Sequence, residues 1–119
     1  MKTEKRQIGD WGEETACRVL EKNEYRIIDR NFSCRCGELD IVAVRSGILA
    51  FVEVKTRAST DFGLPCQAVN ERKKRNIIQT AEFYMKMNPW CKELQPRFDI
   101  FEILTLDCGN FYRYLTDVF

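Results

Sequence analysis

Near the start of the chain, apolar positions recur at helical spacing: Ala16, Cys17 and Leu20, with Val19 beside them and charged Glu14, Arg18 and Glu21 turned away. The preceding Asp10-Trp11-Gly12-Glu13 has the spacing of a capping box. It predicts a helix from about 11 to 23, with Asp10 as N-cap and Glu13 reaching back. Glu13 stands one helical turn before Ala16 and Cys17, so it heads the apolar face, an unusual place for a surface glutamate.

The period then changes from helical to alternating. Residues 25–32 read as a first strand centred on Ile27 and Ile28, with a turn at 33–37. Residues 38–44 and 48–57 form a hairpin around Arg45-Ser46-Gly47. Alternation puts Glu38, Asp40, Val42 and Val44 on one face of the first arm, and Leu39, Ile41 and Ala43 on the other. In the second arm Leu49, Phe51, Glu53 and Lys55 share a face, opposed by Ile48, Ala50, Val52 and Val54. Both faces are apolar, so the hairpin is expected at the centre of a sheet covered on both sides.

A two-residue loop at Ser46-Gly47 pairs Arg45 with Ile48. Counting outward then places Asp40 opposite Glu53 and Glu38 opposite Lys55. Opposed carboxylates repel, so this register calls for a cation between Asp40 and Glu53. A three-residue loop would move Asp40 to the side of Val52.

Residues 58–65 read as a polar loop bordering this cluster, and a second helix is predicted from about 70 to 87. Its inner face is Ile77, Ile78, Ala81, Tyr84 and Met85, and Asn88-Pro89 ends it. Arg72-Lys73-Lys74-Arg75 fall in its first turns, where cations oppose the helix dipole and suit an anion. Such a run is more often a solvated helix face. A strand over 97–106 and a last one after 107–110 follow; Arg97 and Asp99 share a face and are expected to pair with each other or to close the sheet. The order predicts an α/β fold, a mixed central β-sheet flanked by helices.

With 119 residues, 45% of them hydrophobic, one domain with one core is expected. No apolar run approaches the roughly 20 residues that span a bilayer, and the charged first residues do not resemble a secretory signal. A cytoplasmic protein is the expectation. It makes reduced thiols the reading of the six cysteines, which are expected to be core or incidental; Cys34-Arg35-Cys36 alone lacks the paired spacing of zinc folds. There is no histidine. Ser-His-Asp, Cys-His and histidine acid/base catalysis are thereby excluded, leaving carboxylates, lysine or a metal. The net charge of +1 gives no global attraction for nucleic acid, so any contact must be local.

Asp40, Glu53 and Lys55 are the residues around which such chemistry would form. Buried charges cost several kcal/mol unless paired or bound to a metal. Mg²⁺ takes one or two carboxylates together with carbonyl, water and phosphate oxygens, a set that Asp40, Glu53 and the Val54 carbonyl could begin. Lys55 shares the face of Glu53 and could orient a water and stabilise developing negative charge. Glu13 is either a capping acid or a further metal ligand, and Glu38 is expected to pair with Lys55. Arg57 extends the Glu53 and Lys55 face as a phosphate contact, with Arg72 and Lys73 as further nucleic-acid contacts.

Gly12-Glu13 with Ala16, Arg30-Asn31, Gly37-Glu38-Leu39-Asp40-Ile41-Val42-Ala43, Phe51-Val52-Glu53-Val54-Lys55-Thr56-Arg57 and Arg97-Phe98-Asp99 together resemble the YraN-like family of small bacterial proteins. The match spans nearly the whole chain. That family resembles the PD-(D/E)xK nucleases, whose restriction-endonuclease-like fold also serves archaeal Holliday-junction resolvases. The resemblance implies an α/β core with Asp40, Glu53 and Lys55 in a site dependent on Mg²⁺ or Mn²⁺, and Glu13 as the acid from the first helix. It implies DNA, branched or otherwise structured DNA included, as substrate, and a symmetric dimer as the assembly. Leu39 stands where the superfamily signature has proline, a departure that removes no ligand. A binding or interaction module that keeps the nuclease scaffold is the alternative.

Overall fold

The computed structural model of the chain describes residues 4–57 and 70–119, with side chains from Asp10 onward. The predicted loop at 58–65 lies outside the described residues. The first helix, α1 (Glu4–Lys22), begins well before the capping-box signal. Asp10 is therefore not its N-cap, and Glu13 is not a capping acid. The residues ahead of Asp10 include Glu, Lys, Arg and Gln, good helix formers that carry the helix straight through the signal. Ala16, Cys17 and Leu20 are buried as their spacing predicts, and Gly12 joins them.

Five strands follow the chain across one sheet in the order β1 (Arg26–Cys34), β2 (Gly37–Arg45), β3 (Ile48–Arg57), β4 (Gln95–Leu106) and β5 (Gly109–Leu115). Neighbours are antiparallel except β3 and β4, which run parallel. A parallel pair needs a crossover, and α2 (Glu71–Met87) lies within it. The result is the predicted α/β architecture, a mixed sheet flanked by two helices and compatible with a restriction-endonuclease-like fold. None of the described helices is long and apolar enough to cross a membrane.

Each face of the sheet has its own core. Ala16, Cys17 and Leu20 of α1 pack on Ile41, Ala43, Ala50 and Val52. Ile77, Ala81 and Tyr84 of α2 pack on Val42, Leu49, Phe51 and Ile100. Each fully buried Leu, Ile or Val stabilises the fold by about 1.5–3 kcal/mol, so the β2–β3 hairpin, apolar on both sides, anchors both layers. Within α2, Met85 packs at the margin as expected, but Ile78 is only half-buried and Thr80 is fully buried instead. The Thr80 hydroxyl donates to the Asn76 carbonyl at 2.7 Å, which satisfies it inside the helix. Asn70 caps the helix by accepting the Lys73 N–H at 2.8 Å, and Asn88 closes it.

The hairpin has the predicted register, Arg45 with Ile48 through Ile41 with Val52. Ser46 and Gly47 both hold positive φ, 48° and 77°, as the tight turn requires. Strict alternation, however, fails at Asp40: Leu39 packs with Val42 toward α2, not with Ile41 toward α1. Across from Asp40, between the Arg30–Ile41 and Phe32–Leu39 pairs, Asn31 sits at φ 55°. Asparagine tolerates this left-handed conformation better than most residues, and it lets β1 follow the change of face.

Candidate active site

The ladder between β2 and β3 ends at Ile41 and Val52. One step on, Asp40 Oδ2 accepts the Val54 N–H at 2.8 Å, a side chain taking the place of a backbone carbonyl. Beyond it the two strands part: Glu38 pairs with Ser33 of β1, and Lys55 lies beside Glu102 of β4. The expected direct opposition of Asp40 to Glu53, and of Glu38 to Lys55, is therefore not formed as ladder pairs. Asp40 and Glu53 nevertheless line one pocket of about 310 Å³, with Gly37 and Glu38 on the β2 side and Lys73, Asn76 and Ile77 on α2.

Glu53 is the hub of this pocket. Its Oε1 is 3.1 Å from Lys55 Nζ and 2.9 Å from Lys73 Nζ. Two ammonium groups thus offset the charge of Glu53. Lys55 takes its carboxylate from two residues back on its own strand, in place of the Glu38 expected across the ladder. Burial, and then the neighbouring Lys73, pull the Lys55 ammonium below the usual lysine range, with Glu53 opposing them. For Lys73 the effect of burial is outweighed by its hydrogen bonds to Lys55 and Glu53, and it is raised. Lys55 is accordingly the lysine better able to give up a proton.

Asp40 is pushed up to about 7, first by burial, then by the Glu53 charge and more weakly by Glu13 and Glu38, against the Val54 N–H that lowers it. Glu13 is raised as well, chiefly by burial and also by Asp10 and Glu38, while a hydrogen bond with Asn31 works the other way. Its Oε2 is buried with no hydrogen-bond partner among the described residues. A buried carboxylate oxygen left without a donor costs about 1–3 kcal/mol or more, and a cation would remove that cost.

The donors suit a hard divalent ion. Among the described residues no three Asp, Glu, Cys or His side chains form a ready-made cage. Mg²⁺ does not need one, because water and phosphate oxygens complete its octahedron. Asp40 and Glu53 are the carboxylates at hand, and mutual repulsion among Asp40, Glu53 and Glu13 is what a bound cation relieves.

Of the proposed nucleic-acid contacts, Lys73 turns inward to Glu53, whereas Arg72 is exposed on α2 and Arg57 ends β3. Neither arginine lines the pocket. The Lys73 contact had a signal in the sequence, since position 73 precedes Ile77 by one turn and shares its inner face. Asn31 had one too, as an asparagine in the middle of a strand, a residue that favours the left-handed conformation. Glu102 had none: it is fully buried beside Lys55 and accepts from Arg113 Nε at 2.7 Å. The expected Arg97–Asp99 pair is present at 2.8 Å and is the centre of a larger network. Tyr25 accepts from Arg97, Tyr114 donates to Asp99, and the Asp117 N–H reaches Asp99 at 3.0 Å.

A family model described as "Uncharacterised protein family UPF0102" matches residues 12–103, from Gly12 of α1 into β4. A UPF0102 protein of Caldanaerobacter subterraneus subsp. tengcongensis is 42% identical over 102 residues, covering 86% of this chain and 83% of its own. One of Syntrophomonas wolfei subsp. wolfei is 42% identical over 115 residues, covering 96% and 98%. One of Trichlorobacter lovleyi is 48% identical over 101 residues, covering 84% and 79%.

Proposed function

The chain belongs to the uncharacterised protein family UPF0102, and from its site we propose an endonuclease, dependent on Mg²⁺ or Mn²⁺, that hydrolyses phosphodiester bonds in DNA. The observation that carries this reading is the convergence of Asp40, Glu53, Lys55 and Lys73 where β2 and β3 separate. Asp40, Glu53 and the Val54 carbonyl would hold the ion, with Glu13 behind them. When bound, the ion supplies charge neutralisation for the scissile phosphate and a more acidic water.

The remaining work falls to the chain's own groups. Lys55, fixed by Glu53 and lowered by burial, orients the attacking water and steadies the charge that develops on phosphorus oxygens. Lys73 neutralises Glu53 and would be free to reach the phosphate when an ion takes that carboxylate. Glu13 adds a buried negative charge that strengthens cation binding. Arg57 and Arg72 contact the DNA backbone outside the pocket. Branched DNA is the preferred substrate in this reading, with a symmetric dimer acting on two related strands.

A second reading, a nucleic-acid-binding or protein-interaction module, draws on the internal neutralisation of Glu53 by two lysines. The two separate in one assay: labelled linear, nicked, flap and four-way-junction DNA with Mg²⁺, Mn²⁺ or EDTA, beside Asp40→Ala and Lys55→Ala. Metal-dependent cutting lost in both variants supports the endonuclease. Binding without cutting under any metal overturns it and leaves the module.

A further inference from the structure

A second cluster of chemistry lies on the rim of the pocket, in the turn that leads into Glu38 and Asp40. Cys34 ends β1 and pairs with Gly37, so Arg35 and Cys36 are the two residues of the connecting turn. The sulfur of Cys34 accepts the Cys36 N–H at 3.4 Å, which holds the Cys36 backbone against it. Cys34 Sγ also lies 3.9 Å from Thr80 Oγ1, whose own proton is committed to Asn76. The turn is pressed onto α2: a Cβ on Gly37 would come within 3.1 Å of Thr80 Oγ1. Both thiols are half-buried and reachable, whereas Cys17 and Cys91 are fully covered.

We propose that Cys34 and Cys36 are an oxidisable dithiol that closes to an intramolecular disulfide on the rim of the pocket. A disulfide requires Cα atoms about 4.4–6.8 Å apart, and in this tight turn the Cys34 sulfur already lies 3.4 Å from the Cys36 backbone nitrogen, so closure asks for a side-chain rotation at Cys36. The backbone N–H of Cys36 favours the thiolate form of Cys34, the form that attacks. With a low-molecular-weight disulfide as oxidant, the Cys34 thiolate attacks one of its sulfurs, and the first small thiolate leaves. The Cys36 thiolate, its proton passed to solvent, then attacks Cys34 Sγ and expels the second. Two protein thiols are oxidised, one disulfide is reduced to two small thiols, and electrons balance.

Arg35 lies between the two cysteines, which gives the test a direct readout. The folded protein carrying Cys66→Ser and Cys108→Ser is incubated with glutathione disulfide, alkylated, denatured, cut with trypsin and weighed by mass spectrometry. Tryptic pieces 31–35 and 36–45 are expected to stay joined until reduced, two hydrogens lighter than the sum of the free peptides. Cys36→Ser is expected to trap glutathione on Cys34 instead. Separate pieces, each alkylated or each carrying glutathione, overturn the proposal. Repeating the exchange on urea-unfolded protein checks that the fold promotes closure, and an equal or faster rate there also overturns it. None of these readouts depends on nuclease activity.

Discussion

The Asp40 carboxylate accepts the Val54 N–H at 2.8 Å, so a side chain of β2 finishes the ladder that its backbone abandons. This holds Asp40 half-buried beside Glu53 and raises its carboxyl from 3.8 to about 7. A raised acid binds its proton more tightly in the folded state than in the unfolded one. Its contribution to stability is therefore complete below about pH 4 and is lost as pH rises through about 7. In EDTA, Asp40→Asn, which keeps the acceptor for Val54, is expected to be more stable than the wild type at pH 8 by on the order of a few kcal/mol. The gap should close toward pH 4 and shrink at pH 8 when Mn²⁺ is added. Urea midpoints across pH measure it, and a gap independent of pH would contradict the assignment.

The two lysines on Glu53 are expected to differ. Lys55→Met should slow cleavage about a hundredfold or more while leaving DNA binding nearly intact, the loss typical of a group acting on the transition state. Lys73→Met frees Glu53 of one competitor and should leave Mn²⁺ binding equal or tighter, with about a tenfold loss of cleavage. Single-turnover cleavage and calorimetric titration report the two effects. The opposite ranking would exchange their roles.

How far the site was legible in the sequence follows from which residues depend on local rules. The register from Arg45 to Ile41 was readable because Ser46-Gly47 specifies a tight turn and each step outward is fixed by the pleat. The divergence at Asp40 was not, because it depends on Val54 being released by β2 and on Asn31 kinking β1, a relation between three strands. The start of α1 was hidden because Asp10 and Glu13 satisfy a capping pattern inside a helix that good formers extend past it. Within the fourfold basic run, charge alone does not single out Lys73; its inward role is readable only from helical phase, one turn before Ile77.

Gly12 provides a test of how α1 is held. Gly→Ala within a helix ordinarily stabilises by about 1 kcal/mol. Here the new Cβ would lie 2.7 Å from Thr56 Oγ1, so Gly12→Ala is expected to destabilise instead and to displace Glu13. Thr56→Ala removes the obstructing atom, and the double variant should recover most of the loss. A denaturation cycle with coupling under about 0.5 kcal/mol would show that α1 is not seated by this contact.

The Arg97–Asp99 network is expected to matter for the scaffold. Asp99 is fully buried and serves Arg97, Tyr114 and the Asp117 N–H together. Asp99→Ala leaves Arg97 half-buried without its carboxylate, and a loss of about 3–5 kcal/mol is expected from urea unfolding. A loss below about 1 kcal/mol would mean that water replaces the carboxylate without cost.

The strand order carries a kinetic consequence. β1, β2 and β3 are consecutive antiparallel neighbours, whereas the parallel β3–β4 pair must wait for α2 to cross over. Short loops close first, so the meander holding Asp40 and Glu53 forms ahead of the crossover that brings Lys73. Along the folding route the two acids meet before one of the ammonium groups that offset them arrives. That early repulsion is expected to raise the barrier to folding, so that stopped-flow refolding accelerates when the carboxylates are protonated.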